Sequence, residues 1–212
     1  AQIPHDAIFP QKRMNRVRSG RNGIPYHLPT IVEVIHTVHA GAQVAKIGQH
    51  AIGPQKAARN LAAAQIHSKY IVFIDNDAIV SPNWLAPLVD CAEATGAWVV
   101  GPVYCEREPI ATRIHMAGGS AKILTDNGRR VFEEEHRFYG KMLKQIGPNL
   151  HREPVEQIEF HCVLVRTDAY DRLGPLDEQL MSAAEHTDLC LLTREHGGEV
   201  YLEPKSVVTY LP

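Results

Sequence analysis

Tyr70-Ile71-Val72-Phe73-Ile74-Asp75-Asn76-Asp77 is the stretch on which the reading of this chain turns. The apolar run is too short for a helix and shows no polar alternation, so it predicts a central strand covered on both faces. It ends abruptly in two carboxylates one residue apart. Ligands of open α/β sheets bind beyond the carboxyl ends of strands, which makes Asp75 and Asp77 candidate ligands. Mg²⁺ or Mn²⁺ takes one or two protein carboxylates and completes its shell from water and phosphate, so the pair suits a cation shared with a diphosphate. The same residues equally suit a strand-end turn or a helix N-cap, where Asp and Asn make local hydrogen bonds.

Outward from this strand the chain alternates. Upstream, Gly53-Pro54 opens a helix in which Ala57, Ala58, Leu61, Ala62, Ala64 and Ile66 recur at helical spacing. Ile31 to Ile35 reads as an earlier strand. Downstream, Ser81-Pro82 starts a second helix through Trp84, Leu85, Leu88, Val89 and Ala92 to a stop at Gly96, and Trp98-Val99-Val100 is the next strand. That order implies an α/β fold with a mostly parallel central sheet flanked by helices. The second half changes character. Two extended runs between Ile114 and Glu133 surround Asn127-Gly128, a strong hairpin signal. A polar helix through Phe138, Met142 and Ile146 is expected next, then a strand over Ile158 to Val165 and helices over Thr167 to Leu173 and Glu185 to Glu195. Val200 to Leu202 and Val207 to Tyr210 close the chain as strands.

The composition narrows the function. A chain of 212 residues, 44% hydrophobic and 22% charged with net charge −2, suits one globular domain and carries no nucleic-acid footprint. Cys91, Cys105, Cys162 and Cys190 form no CxxC pair, which argues against a structural zinc or a redox dithiol and for a reduced, cytoplasmic protein. No apolar run reaches the roughly 18–20 residues of a membrane span, and the chain does not open on a signal-peptide pattern. Peripheral association with the inner face of a membrane stays open.

Several segments together carry a resemblance: Gly53-Pro54-Gln55-Lys56-Ala57-Ala58-Arg59-Asn60-Leu61-Ala62, the strand ending in Asp75-Asn76-Asp77, Pro82-Asn83-Trp84-Leu85, Gly174-Pro175-Leu176-Asp177-Glu178, Glu185-His186-Thr187-Asp188-Leu189-Cys190, and Glu203-Pro204. In this order they resemble family-2 glycosyltransferases, with their GT-A fold and DxD motif. The resemblance implies a metal-dependent, inverting transfer of a sugar from a nucleotide-diphosphate sugar to a saccharide or lipid-linked acceptor, with Mn²⁺ or Mg²⁺ as cofactor. It implies a single domain over 1–212: a basic loop or arm over 1–30, a nucleotide-sugar-binding half over 31–105 and an acceptor and catalytic half over 106–212. Asp75 and Asn76 would lie near the ribose and diphosphate, and Asp77 would be the principal metal ligand. Arg59 and Asn60 would line the donor pocket, Arg59 on phosphate or in a salt bridge and Asn60 on ligand or as a loop buttress. Trp84 would stack on the acceptor sugar or anchor its helix.

An inverting transfer needs a base for the acceptor hydroxyl. The family places it at the second residue of a Glu-Asp pair, which here is His186. Glu185 and His186 are therefore both candidates, Glu185 slightly preferred, with Asp188 as orienting partner or cap. Tyr210 stands where many members carry a histidine that completes the metal shell. His115, Gly118, Gly119, Glu159 and His161 fall in segments that the motifs do not define. Ile114 to Gly119 suits a close approach of backbone to ligand, and His115, Gly118, Gly119 and His161 are candidate substrate contacts. The substitution at His186 leaves a second reading, a catalytically impaired domain that binds a sugar or a partner. Nucleotidyl transfer is disfavoured, because no glycine-rich basic loop follows the first strand.

Overall fold

Every other element is arranged about the strand formed by Tyr70–Asp75. The computed structural model describes residues 32–39, 42–47, 55–180 and 185–211. The basic arm over 1–30 and the Gly53-Pro54 helix opening lie outside the described residues.

β1 (Val32–His39) and β2 (Ala42–Ile47) pair antiparallel. α1 (Gln55–Ala63) then crosses over to β3 (Tyr70–Asp75), which lies parallel to β2. A short β4 (Ala78–Val80) precedes α2 (Leu85–Thr95) and β5 (Val99–Glu106). The second half holds β6 (Arg113–Met116), the hairpin β7 (Gly119–Asp126) and β8 (Arg129–His136), α3 (Leu143–Ile146), β9 (Glu153–Val155), β10 (Cys162–Arg166), α4 (Thr167–Leu173), α5 (Glu185–Glu195) and β11 (Val200–Tyr210).

The main sheet runs β1-β2-β3-β10-β5-β11-β4, with β6 on β5 and β9 on β11. β2, β3, β5 and β11 share one direction, as the alternating order predicts. The expected mostly parallel sheet is nevertheless mixed, because β10 is inserted antiparallel between β3 and β5. Among the described residues, only β2–β3 and β5–β11 are parallel neighbours. An antiparallel strand needs no crossover helix, so the second half can deliver β10 into the centre directly.

Tyr70, Ile71, Val72, Phe73 and Ile74 are all buried, as a strand covered on both faces requires. They share one core with Leu88, Val89 and Ala92 of α2 and with Val163, Leu164 and Val165 of β10. Burying each side chain of this size stabilises by about 1.5–3 kcal/mol. Gly96 ends α2 in the left-handed conformation (φ 75°), and its N–H donates to the Ala92 carbonyl at 3.0 Å.

Four boundaries differ from expectation. α2 begins at Leu85 rather than Ser81, because Asn83 has φ 59° and Ser81 closes a turn onto the Trp84 N–H. The polar helix shrinks to the single turn α3, since Phe138 (φ 62°) and Gly140 (φ 75°) leave helical space. β10 starts only at Cys162, and β11 is one continuous strand with an irregularity between Leu202 and Val207. No helix of the described residues is long and apolar enough to cross a membrane.

Candidate functional site

The site begins with register. β10 pairs Cys162 with Ile74, and one step further the Asp75 N–H donates to the His161 carbonyl at 3.1 Å. Cross-strand neighbours share a face, so the His161 imidazole lies beside the Asp75 carboxylate, Nδ1 to Oδ2 at 3.3 Å. Asp77 joins them: one ligating atom from each of Asp75, Asp77 and His161 falls within 4.8 Å of the others. The Asp77 carbonyl accepts the Leu211 N–H at 2.9 Å, tying this turn to the end of β11. Tyr210, on the same strand end, stacks flat on the His161 ring with centroids 4.0 Å apart and planes at 6°. This stacking fixes the plane of the imidazole beside the two aspartates. His161 Nδ1 is buried and makes no hydrogen bond among the described residues. Two carboxylates and an imidazole nitrogen are a donor set that fits Mn²⁺, and fits Mg²⁺ less well because Mg²⁺ prefers oxygen alone.

Arg59 sits behind the carboxylates rather than in front of them. It is 1% exposed. Its Nη2 donates to Asp75 Oδ1 at 2.7 Å and its Nη1 to Glu185 Oε1 at 2.9 Å, while the guanidinium lies 4.5 Å over the Phe160 ring. A guanidinium is buried only when carboxylates accompany it, and here both arms are committed to them. The phosphate-facing reading of Arg59 is therefore replaced by the salt-bridge one. Asn60 accepts from Tyr170 Oη and Leu176 N and donates to Leu176 O and Glu178 Oε1, all at 2.8–3.0 Å, so it pins the Leu176–Glu178 turn, as the buttress alternative expected. Asn76 is exposed in the turn between the two aspartates. Trp84 packs partly buried against the core at the start of α2, the anchoring alternative.

Gly118 and Gly119 are required by the protein's own packing. A Cβ on Gly118 (φ 69°) would come within 2.6 Å of Val155 Cγ1, and one on Gly119 would collide with the Glu135 carbonyl and Met116. The close backbone approach expected of this segment is made here to β8 and β9.

His115 leads to a second group. It is the extra residue of a bulge on β6, where pairing with β5 shifts between Tyr104 and Cys105, and bulges re-aim side chains. Its Nε2 is 3.6 Å from Glu159 Oε1. His136 Nε2 is 3.3 Å from the same oxygen and 3.1 Å from Glu134 Oε1. His186 lies between both carboxylates, with Nε2 3.2 Å from Glu134 and Nδ1 3.6 Å from Glu159. Burial alone would lower the His186 pKa, but its hydrogen bond to Glu134 and the charges of Glu159, Glu134 and Glu185 outweigh this and raise it. His136 is raised too, chiefly by its hydrogen bond to Glu134. Burial pushes Glu159 up, yet the surrounding histidines pull it down to about 2, and hydrogen bonds from His136 and His186 hold Glu134 far below the usual range. The Tyr104 hydroxyl, 2.8 Å from both the Glu159 and the Cys162 carbonyls, fixes the segment that carries Glu159 and His161. Gly101 leaves room for it, since a Cβ there would lie 2.6 Å from that hydroxyl.

Glu134 and His136 had not been singled out from the sequence. The available signal was their i, i+2 spacing on a strand, which puts both on one face of β8. Glu185 and Asp188 occupy the first turn of α5, whose positive end they complement, and Asp188 is 1% exposed.

Comparison with known proteins bears on the family and the fold. The model of "Glycosyl transferase family 2" matches residues 53–173, more than half of the chain. The uncharacterized protein y4gI of Sinorhizobium fredii (strain NBRC 101917 / NGR234) is 26% identical over 145 residues, 66% of this chain and 15% of that protein. The crystal structure of GalNAc-T7 with UDP, GalNAc and Mn²⁺ superposes with a TM-score of 0.53 at 16% identity, covering 74% of this chain and 30% of that one. The chain thus spans only a minor part of either protein, and the structural likeness speaks for the GT-A fold alone. With its family model, its order of motifs and its fold in agreement, the chain belongs to glycosyl transferase family 2.

Proposed function

We propose that this domain transfers a glycosyl group from a nucleotide-diphosphate sugar to a hydroxyl of a saccharide or lipid-linked acceptor, with inversion at the anomeric carbon. The observation that carries this reading is the meeting of Asp75, Asp77 and His161 beyond the carboxyl end of β3. The solved structure of like fold contains UDP, GalNAc and Mn²⁺, which supports a donor and cation of that kind.

Asp75, Asp77 and His161 would hold Mn²⁺, or less favourably Mg²⁺, which when bound neutralises the charge of the departing diphosphate. Arg59 fixes the orientation of Asp75 and, through its other arm, that of Glu185. Glu185 is the base. His186 is held between the Glu134 and Glu159 carboxylates, at 3.2 and 3.6 Å, so both of its ring nitrogens already face partners of the protein's own. The acceptor hydroxyl gives its proton to Glu185, its oxygen bonds to the anomeric carbon, and the bond from that carbon to the diphosphate oxygen breaks. A lipid-linked acceptor would bring the domain to the inner face of the membrane from the cytoplasm.

Calorimetric titration of UDP, GDP and dTDP with Mn²⁺, then with EDTA, tests the donor site. One nucleotide should bind in a metal-dependent way, and Asp77→Asn should weaken it at least tenfold with the fold intact. If Asp77→Asn binds nucleotide and metal like the parent, the donor assignment fails. Glu185→Gln should retain nucleotide binding and lose turnover by on the order of 10²–10⁴. The histidine at position 186, where the family's motif has an aspartate, also supports a second reading, binding without turnover. Metal-dependent nucleotide binding with neither donor hydrolysis nor transfer would select it.

A further inference from the structure

We propose that His115, His136 and Glu159 form a second cation site, for a first-row ion of the zinc class, beside the Asp75–Asp77–His161 centre. The proposal concerns metal binding alone and stands whether or not the domain transfers sugars.

The spacing is that of a coordination shell. His115 Nε2 and His136 Nε2 both face Glu159 Oε1, at 3.6 and 3.3 Å. Ligand atoms about 2.1 Å from one ion, at octahedral to tetrahedral angles, are about 3.0–3.4 Å apart. The two separations to Glu159 need only a few tenths of an ångström of contraction at most. One ligating atom from each of the three residues already lies within 4.8 Å of the others. Glu134 Oε1, 3.1 Å from His136 Nε2, is a fourth donor in reach. His136 and Glu134 are 24% and 29% exposed, so the site opens to solvent along the hairpin.

The surroundings are those of a ligand histidine. His115 turns its other nitrogen, Nδ1, toward Glu106 Oε2 at 3.6 Å, and Glu106 is 5% exposed and paired with Arg113 at 3.2 Å. A buried carboxylate behind a metal-binding imidazole fixes its tautomer and raises its basicity. On the far side, the Tyr104 hydroxyl anchors the Glu159 main chain. Two imidazoles with carboxylate oxygen select Zn²⁺ and related ions over Mg²⁺ or Ca²⁺. The ligands come from β6, from β8 and from the segment before β10, so an ion there joins the hairpin to the body of the domain.

The test is metal stoichiometry on the whole chain. Chelator-stripped protein is equilibrated with Zn²⁺ and assayed by plasma mass spectrometry and calorimetry, with circular dichroism to verify folding. The parent should hold two equivalents. Asp77→Asn should hold one, His136→Gln one, and the double variant none. In the Asp77→Asn background, X-ray absorption should show imidazole scattering from the bound Zn²⁺. Glu106→Gln should weaken that site by about 10–100-fold. His115→Gln serves as an independent ligand removal should His136→Gln not fold. The proposal is overturned if Asp77→Asn binds no Zn²⁺, or if folded His136→Gln and His115→Gln both retain the parent stoichiometry. A failure confined to the donor site would appear instead as an unchanged stoichiometry in Asp77→Asn alone.

Discussion

The carboxylates at the end of β3 and the histidines at the base of the hairpin are neighbours built by opposite means. Asp75 and Asp77 stand together in the sequence, at the end of a strand whose position the core dictates, with a buried Arg59 behind Asp75. The histidine group draws His115 from a bulge, Glu134 and His136 from one face of β8, Glu159 from the approach to β10 and His186 from α5. The first is anchored to the core through a guanidinium. The second is anchored through a tyrosine hydroxyl and a hairpin. A short linear motif can specify the first, whereas only the completed topology specifies the second.

Arg59→Leu should break the first anchor with the largest effect. It leaves Asp75 and Glu185 buried without their shared counter-charge, at a cost of about 3–5 kcal/mol. Urea unfolding would measure it, and a loss below about 1 kcal/mol would mean that the core does not hold the carboxylates through Arg59. Tyr104→Phe should cost less, about 1–3 kcal/mol, because two buried carbonyls lose a donor at 2.8 Å. Its sharper consequence is selective: amide exchange should quicken around residues 159–162 and stay unchanged in α1. Equal quickening in both would erase the distinction between the two anchors. Gly128→Ala should have the smallest effect, about 1 kcal/mol, from its φ of 76° in a hairpin turn with open space around it. Nucleotide binding should not change, and a loss there would show that the hairpin tip reaches the donor side.

Legibility follows the same division. The apolar run Tyr70 to Ile74 and its terminal carboxylates were readable because burial on both faces leaves a mark in consecutive residues. The hairpin was readable because Asn127 and Gly128 both take positive φ, as their turn demands. The position of His161 beside Asp75 was not, since it depends on an antiparallel register between strands distant in sequence. Arg59 was open to two readings because a cation next to a pocket and a cation beneath it look alike until its carboxylate partners are placed. The polar helix was overextended because helical spacing around Phe138 and Ile146 does not reveal that Phe138 and Gly140 turn left-handed.

The main-chain bond between Asp75 and His161 carries a consequence for how such a domain can diversify. These ligands are fixed to paired strands, so their spacing is inherited with the sheet and is indifferent to what the surface loops become. The turns over 107–112 and 137–152 lie outside that pairing and are tied instead to β6 and β11, through bonds such as Gly140 N–H to the Ile114 carbonyl and Ala111 N–H to Thr209 Oγ1. Changes in the surrounding loops can therefore accumulate while the spacing of Asp75 and His161 stays as the strand pairing sets it.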